Sequence, residues 1–110
     1  VELLAQVIHA EARGEPFVGK VAVGAVVLNR VHDKRFPATV RGVVQAPGQF
    51  AVSRGGSRPD PECYRAAAAA LRGFDPTGGA LFFYNPKTAT CPWIRTRPVL
   101  CNIGSHRFVR

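Results

Sequence analysis

The sequence predicts an α+β domain, mostly helical, with a small antiparallel β region in its second half. Apolar residues recur at helical spacing through residues 1–72, while aromatic and branched residues gather after residue 80. Glycine and proline signals separate the segments, and helices followed by short strands are the pattern of an α+β fold.

Leu3, Leu4, Val7 and Ile8 share one face of a first helix, expected from near Val1 to about Arg13 and closed by Gly14 and Pro16. A second helix, about Gly19 to Val31, is apolar on nearly every face (Val21, Ala22, Val23, Ala25, Val26, Val27, Leu28) and is expected to be the buried central element. A short helix is expected at Pro37–Gln45, and residues 53–60 read as a polar, glycine-rich loop. Asp60-Pro61-Glu62 then supplies an N-cap, a proline at the first helical position and an acidic first turn, opening a helix that reaches Arg72 and stops at Gly73. Asp75-Pro76-Thr77-Gly78-Gly79 is a turn, Leu81–Tyr84 a short strand ended by Asn85-Pro86, and Thr96–Cys101 and His106–Val109 further strand candidates around Gly104.

At 110 residues the chain is one domain, residues 1–110, and 46% apolar with 20% charged residues is ordinary globular usage. It holds no apolar run long enough to span a membrane. The opening Val1-Glu2-Leu3-Leu4 lacks the regions of a signal peptide, so an export signal is expected outside these residues. Fifteen Lys and Arg against seven Asp and Glu give a net charge of +8, scattered without a dense cluster. Dispersed positive charge suits attraction to an anionic matrix better than groove reading, and a merely solvated surface suits it as well. No nucleic-acid partner is expected, and the domain is expected to be a monomer. Of Cys63, Cys91 and Cys101, the last two flank a segment able to double back and are the expected pair if a disulfide forms; the odd cysteine fits reduced, buried thiols equally.

The seven carboxylates can be sorted by elimination. Asp60 and Glu62 serve a helix start, Asp75 its turn, Asp33 a loop and Glu2 an exposed helix end. Glu11 and Glu15 remain. Glu11 is the next position on the apolar face of the first helix, so it is expected to point inward. A carboxyl group held against apolar side chains loses hydration of its charged form and keeps its proton nearer neutral pH, as a general acid must. Glu15, before a proline and beside Arg13, reads as a solvated ion pair or as a supporting partner of the acid. Glycoside hydrolysis usually recruits a second carboxylate, and four residues of separation across a helix end do not guarantee the required geometry. One-acid and two-acid mechanisms therefore both stand.

Ring faces cover the apolar faces of sugars, which makes Tyr84, Asn85 and Trp93 the expected cleft residues; strand alternation sends at least one of Phe82 and Phe83 into the core. His9-Ala10-Glu11 opens like a zinc deaminase signature, but no Pro-Cys-x-x-Cys partner follows, and no metal or other cofactor is expected. His9, His32 and His106 read as structural or surface residues.

Five blocks in order carry a resemblance: Ala10–Pro16 (AEARGEP), Val21–Val31 (VAVGAVVLNRV), Pro47–Phe50 (PGQF), Asp75–Ala80 (DPTGGA) and Phe83–Thr90 (FYNPKTAT), with Ile103–Phe108 (IGSHRF) closing the pattern. Together they resemble the catalytic domain of the spore cortex-lytic enzyme and cell wall hydrolase family across almost the whole chain. The resemblance implies a lysozyme-like α+β domain that cuts peptidoglycan glycan strands between muramic acid and N-acetylglucosamine. It also implies a lytic transglycosylase with one catalytic glutamate, Glu11 or alternatively Glu15, and cleft residues that include Gln49 and Phe50. An exported enzyme of the periplasm or wall follows, acting on spore cortex or vegetative wall. The alternatives are a hydrolytic muramidase with a second carboxylate and a non-catalytic basic module that binds wall polymer or nucleic acid.

Overall fold

A computed structural model describes residues 1–50 and 58–110. Among these residues the chain forms helices α1 (Glu2–Glu11), α2 (Phe17–Val31), α3 (Val40–Gln45) and α4 (Pro61–Leu71). Strands β1 (Phe82–Tyr84), β2 (Val99–Ile103) and β3 (His106–Val109) follow, with a 3₁₀ turn at Trp93–Thr96. The α+β expectation holds. The strands form one antiparallel sheet in the order β1-β3-β2.

Helix α2 is the axis of the molecule. Val21, Ala22, Val23, Ala25, Val26 and Val27 are all buried, and α1, α3 and α4 pack around them. Gly24 lets α1 and α4 approach α2 closely. A β-carbon there would lie 3.1 Å from Ala70 on α4 and 3.2 Å from Ile8 on α1, tighter than ordinary packing allows. The apolar face of α1 is buried as expected at Leu4, Val7 and Ile8, and Glu11 sits half-buried at the end of it.

Several boundaries move for identifiable reasons. Helix α2 starts at Phe17 rather than Gly19, because Pro16 takes the N-cap position with φ −61° and ψ 160°. Helix α3 starts at Val40 rather than Pro37, because the Thr39 side chain accepts the Gly42 N–H at 3.0 Å and sets the first turn there. Helix α4 opens as read: the Asp60 carboxylate accepts the Cys63 N–H at 3.0 Å, and Pro61 takes the first helical turn. The loop expected at 53–60 lies mostly outside the described residues.

The strand expected at Thr96–Cys101 starts three residues later and ends two later, at Val99–Ile103. Thr96 belongs instead to the 3₁₀ turn, where its hydroxyl donates to the Trp93 carbonyl at 2.6 Å. Of the two alternatives for the cysteines, the reduced one holds: Cys91 and Cys101 are not joined, and all three thiols are free. The chain between the two cysteines is taken up by the 3₁₀ turn and by Pro98, whose carbonyl accepts the Arg110 N–H at 3.0 Å and anchors the segment to the end of β3. The Cys101 thiol faces the Pro76 carbonyl instead, at 3.9 Å.

Candidate active site

The last residue of α1 and the loop entering α2 deliver Glu11 and Glu15 to one end of the sheet. The Glu15 carboxylate accepts the Ser105 N–H at 2.8 Å, and its Oε1 lies 4.0 Å from Nδ1 of His106 on β3. The side chains of Glu15 and His106 are each only 11% exposed. Gly104 makes this approach possible: with φ 58° it turns the β2–β3 hairpin, and a β-carbon on it would collide with Glu15 Oε1 and Pro16 Cδ. Glu15 is thus a fixed, hydrogen-bonded group rather than the solvated ion pair with Arg13 that its sequence neighbours suggest. Arg13 turns to His9 instead, at 2.8 Å.

His106 is the residue that reading the sequence missed. Its Nδ1 is buried without a hydrogen-bond partner, and its ring packs 5.0 Å from Phe83 and 6.2 Å from Phe108. Burial pushes the imidazole below its ordinary pKa, against the opposing pull of the Glu15 and Glu11 carboxylates. The available signal was the strand alternation of His106 and Phe108, which puts both on the inward face.

The expected cleft residues divide. Phe50 lies 6.4 Å from Phe83, and its ring is also 5.0 Å from the guanidinium of Arg30. Arg30 is 5% exposed and sits among Phe36, Phe50 and Phe82, donating from Nε to the Leu81 carbonyl at 2.7 Å and from Nη1 to the Gln49 side chain at 3.1 Å. Burial lowers its pKa to about 10, still far above neutrality. Trp93, 52% exposed, meets Phe82 edge to face at 5.3 Å. A chain of ring contacts therefore leads from His106 through Phe83 and Phe50 to the Arg30 cluster and Trp93.

Tyr84 and Asn85 lie off that chain. The Tyr84 ring is buried beneath the guanidinium groups of Arg95 and Arg107, at 5.6 and 5.9 Å. The Asn85 side chain accepts the Lys87 N–H at 2.9 Å within its own turn.

Asp75 does more than close a turn. It accepts from the Thr77 N–H at 2.8 Å and hydroxyl at 2.5 Å, from the Gly79 N–H at 2.9 Å and from Asn29 on α2 at 3.0 Å. Burial would raise its pKa, but these hydrogen bonds outweigh burial and hold the carboxyl below the usual range. Asn29 also donates to the Ala80 carbonyl at 2.9 Å, so Asn29 and Arg30 together clamp the entry to β1 onto α2.

A third cluster lies where α1 crosses α4. His9, Asp60 and Cys63 bring one ligand atom each within 4.8 Å of one another. Beside them Lys20 and Glu62 form an ion pair of 2.8 Å.

The chain matches the Cell Wall Hydrolase family over residues 14–109, a span that includes Glu15 and begins just after Glu11. It is 47% identical to the spore cortex-lytic enzyme of Halalkalibacterium halodurans, covering 98% of this chain and 34% of that protein. It is 44% identical to the spore cortex-lytic enzyme of Bacillus cereus, over 100% of this chain and 44% of that protein. The chain thus spans less than half the length of these curated relatives. Among solved structures, the catalytic domain of the Bacillus cereus SleB protein superposes with a TM-score of 0.93 at 45% identity, covering 99% of this chain and 88% of that one. The catalytic domain of the germination-specific lytic transglycosylase SleB from Bacillus anthracis gives 0.94 at 46% identity, covering 99% and 92%. The lysozyme-like α+β architecture implied by the resemblance is the one these domains share with the chain. Five sequence blocks, the fold and relatives aligned along the full length agree, and the chain belongs to the cell wall hydrolase family.

Proposed function

We propose that the domain cleaves peptidoglycan glycan strands between muramic acid and N-acetylglucosamine as a lytic transglycosylase, with Glu11 as its single catalytic acid and base. The observation that carries this reading is the place of Glu11 at the end of the buried apolar face of α1, with Glu15 engaged by the β2–β3 turn. Glu15 is held by the Ser105 N–H and is almost closed to solvent, so it is poorly placed to attack a sugar or direct water. Glu11 is the carboxylate that ends the apolar face of α1, half-buried next to Leu4, Val7 and Ile8 on that face, the setting that suits a general acid.

In this mechanism the Glu11 carboxylic acid donates its proton to the glycosidic oxygen as the bond from that oxygen to the muramoyl anomeric carbon breaks. The resulting carboxylate then takes the proton of the C6 hydroxyl as O6 bonds to the anomeric carbon. The 1,6-anhydro ring closes, no water is consumed, and Glu11 ends protonated again. Glu15 and His106 hold this end of α1 against the sheet, while Phe50, Gln49 and Trp93 line the approach. Tyr84 and Asn85 shape the β1 turn from behind. Such a domain acts outside the cytoplasm, in the periplasm or wall where its substrate lies, and the basic surface favours an anionic wall polymer.

The test is mass analysis of soluble products from purified peptidoglycan. Muropeptides lighter than hydrolytic products by one water, about 18 Da, are expected, and Glu11→Gln should reduce release about a thousandfold with the fold intact. Reducing ends in place of anhydro ends would establish the two-carboxylate hydrolase. Release by Glu11→Gln but not by Glu15→Gln would move the acid to Glu15.

A further inference from the structure

We propose that His9, Asp60 and Cys63 form a binding site for a borderline-soft divalent cation, with Zn²⁺ the best fit, that ties the last turn of α1 to the first turn of α4. The site is separate from the carboxylates: His9 and Glu11 are two residues apart on a helix and so project in different directions. It does not rest on the glycan-cleaving reading.

The donor set is one sulfur, one imidazole nitrogen and one carboxylate oxygen, a combination that suits zinc and excludes magnesium or calcium, which take oxygen. Zinc bonds of about 2.0–2.3 Å put tetrahedral donors roughly 3.3–3.8 Å apart. The three ligand atoms already lie within 4.8 Å of one another, with His9 Nδ1 4.0 Å from Cys63 Sγ. Closing the set takes small side-chain rotations.

The backbone prepares the arrangement. Asp60 caps α4 through the Cys63 N–H, so carboxylate and thiol belong to one helical turn, and Cys63 is 1% exposed. Charge is also provided for: a thiolate and a carboxylate neutralise a divalent ion, and the nearby Lys20 ammonium is already paired with Glu62.

The proton balance is simple. Arg13 donates to His9 Nε2 at 2.8 Å, so in the neutral imidazole the ring proton sits on Nδ1 and faces the sulfur. On binding, the Cys63 S–H bond breaks, its proton leaves to solvent and a sulfur–metal bond forms. The imidazole proton exchanges from Nδ1 to Nε2, Nδ1 bonds the metal, and the exposed Arg13 side chain swings away. The Asp60 oxygen not used as the cap completes three protein bonds, leaving a fourth for water.

The experiment is titration of the reduced, metal-free chain with Co²⁺ and then Zn²⁺. One equivalent of Co²⁺ should produce thiolate-to-cobalt charge-transfer absorption, displaced by Zn²⁺, and Zn²⁺ should raise Tm by mass action. Three thiols allow the band to be assigned. It should survive Cys91→Ser with Cys101→Ser and vanish in Cys63→Ser. Asp60→Asn preserves a helix cap while removing the carboxylate, so its metal-free Tm should match the parent while metal affinity falls at least about tenfold. His9→Gln should lose at least as much. Absence of the band, a band that persists in Cys63→Ser, or unchanged affinity in Asp60→Asn and His9→Gln would each overturn the assignment.

Discussion

On one face of the sheet, Phe83, His106 and Phe108 turn toward the helices, where Glu15 approaches an imidazole nitrogen that has no hydrogen-bond partner. On the other face, Phe82 and Tyr84 lie against the guanidinium groups of Arg30, Arg95 and Arg107. Residues directly opposite in an antiparallel pair share a face, so Phe83 with Phe108 and Tyr84 with Arg107 define the two sides. The cationic face is satisfied: Arg30 and Arg95 donate to backbone carbonyls and Arg107 to the Asn102 side chain. On the carboxylate face, His106 Nδ1 has no hydrogen-bond partner and faces Glu15 Oε1 at 4.0 Å. An unpaired buried nitrogen costs stability. The arginine face is held by cation–ring contacts and backbone hydrogen bonds, and the carboxylate face by the approach of Glu15 to Ser105 and His106.

The largest change in stability should come from the arginine face. Arg30→Ala removes two hydrogen bonds and three ring contacts from a buried position and strands the Leu81 carbonyl, a loss of about 3 kcal/mol in urea unfolding. A loss below about 1 kcal/mol would show that the cluster is not the clamp its geometry suggests. Gly104→Ala should cost about 2 kcal/mol, because alanine resists the left-handed backbone and its methyl group displaces Glu15. Glycan cleavage should fall along with stability.

His106→Phe sharpens the comparison. It keeps a ring against Phe83 and removes the unpaired nitrogen, so stability near pH 7 should stay within about 1 kcal/mol of the parent while cleavage drops. The sign of its pH effect is fixed. Because the folded-state pKa of His106 is lowered, the unfolded chain binds the proton first as pH falls through the unfolded value of 6.5. Stability therefore declines with acid from that point down to the folded pKa, and His106→Phe should flatten that part of the urea midpoint against pH. An unchanged slope would assign the acid sensitivity elsewhere. Trp93→Ala should have the smallest effect, under about 1 kcal/mol on folding, since the ring is half exposed. If Trp93 meets the glycan, KM rises while kcat holds.

Local signals located most of the fold. Asp60-Pro61 opened α4, Gly73 closed it, the uninterrupted apolar run marked α2 as central, and His106–Val109 was legible as a strand. Among the candidate site residues, Glu11 and Glu15 emerged by elimination, Trp93 by its chemistry, and Gln49 and Phe50 through the family resemblance. Tyr84 was an expected cleft residue as an aromatic beside a turn; that two arginines cover its ring depends on strand pairing and the 3₁₀ turn, which no local pattern shows.

The sequence by itself determined where α4 opens, which face of α1 is apolar and that α2 is the buried axis. Those properties depend on neighbours within four or five positions, where spacing and side-chain type suffice. Tertiary structure alone decided that Ser105 would hold Glu15 across 90 positions, that Arg30 would reach the Leu81 carbonyl across 51, and that Cys63 would face His9 across 54. Such contacts depend on how α1, α4 and the sheet pack around α2, and no local pattern encodes that packing.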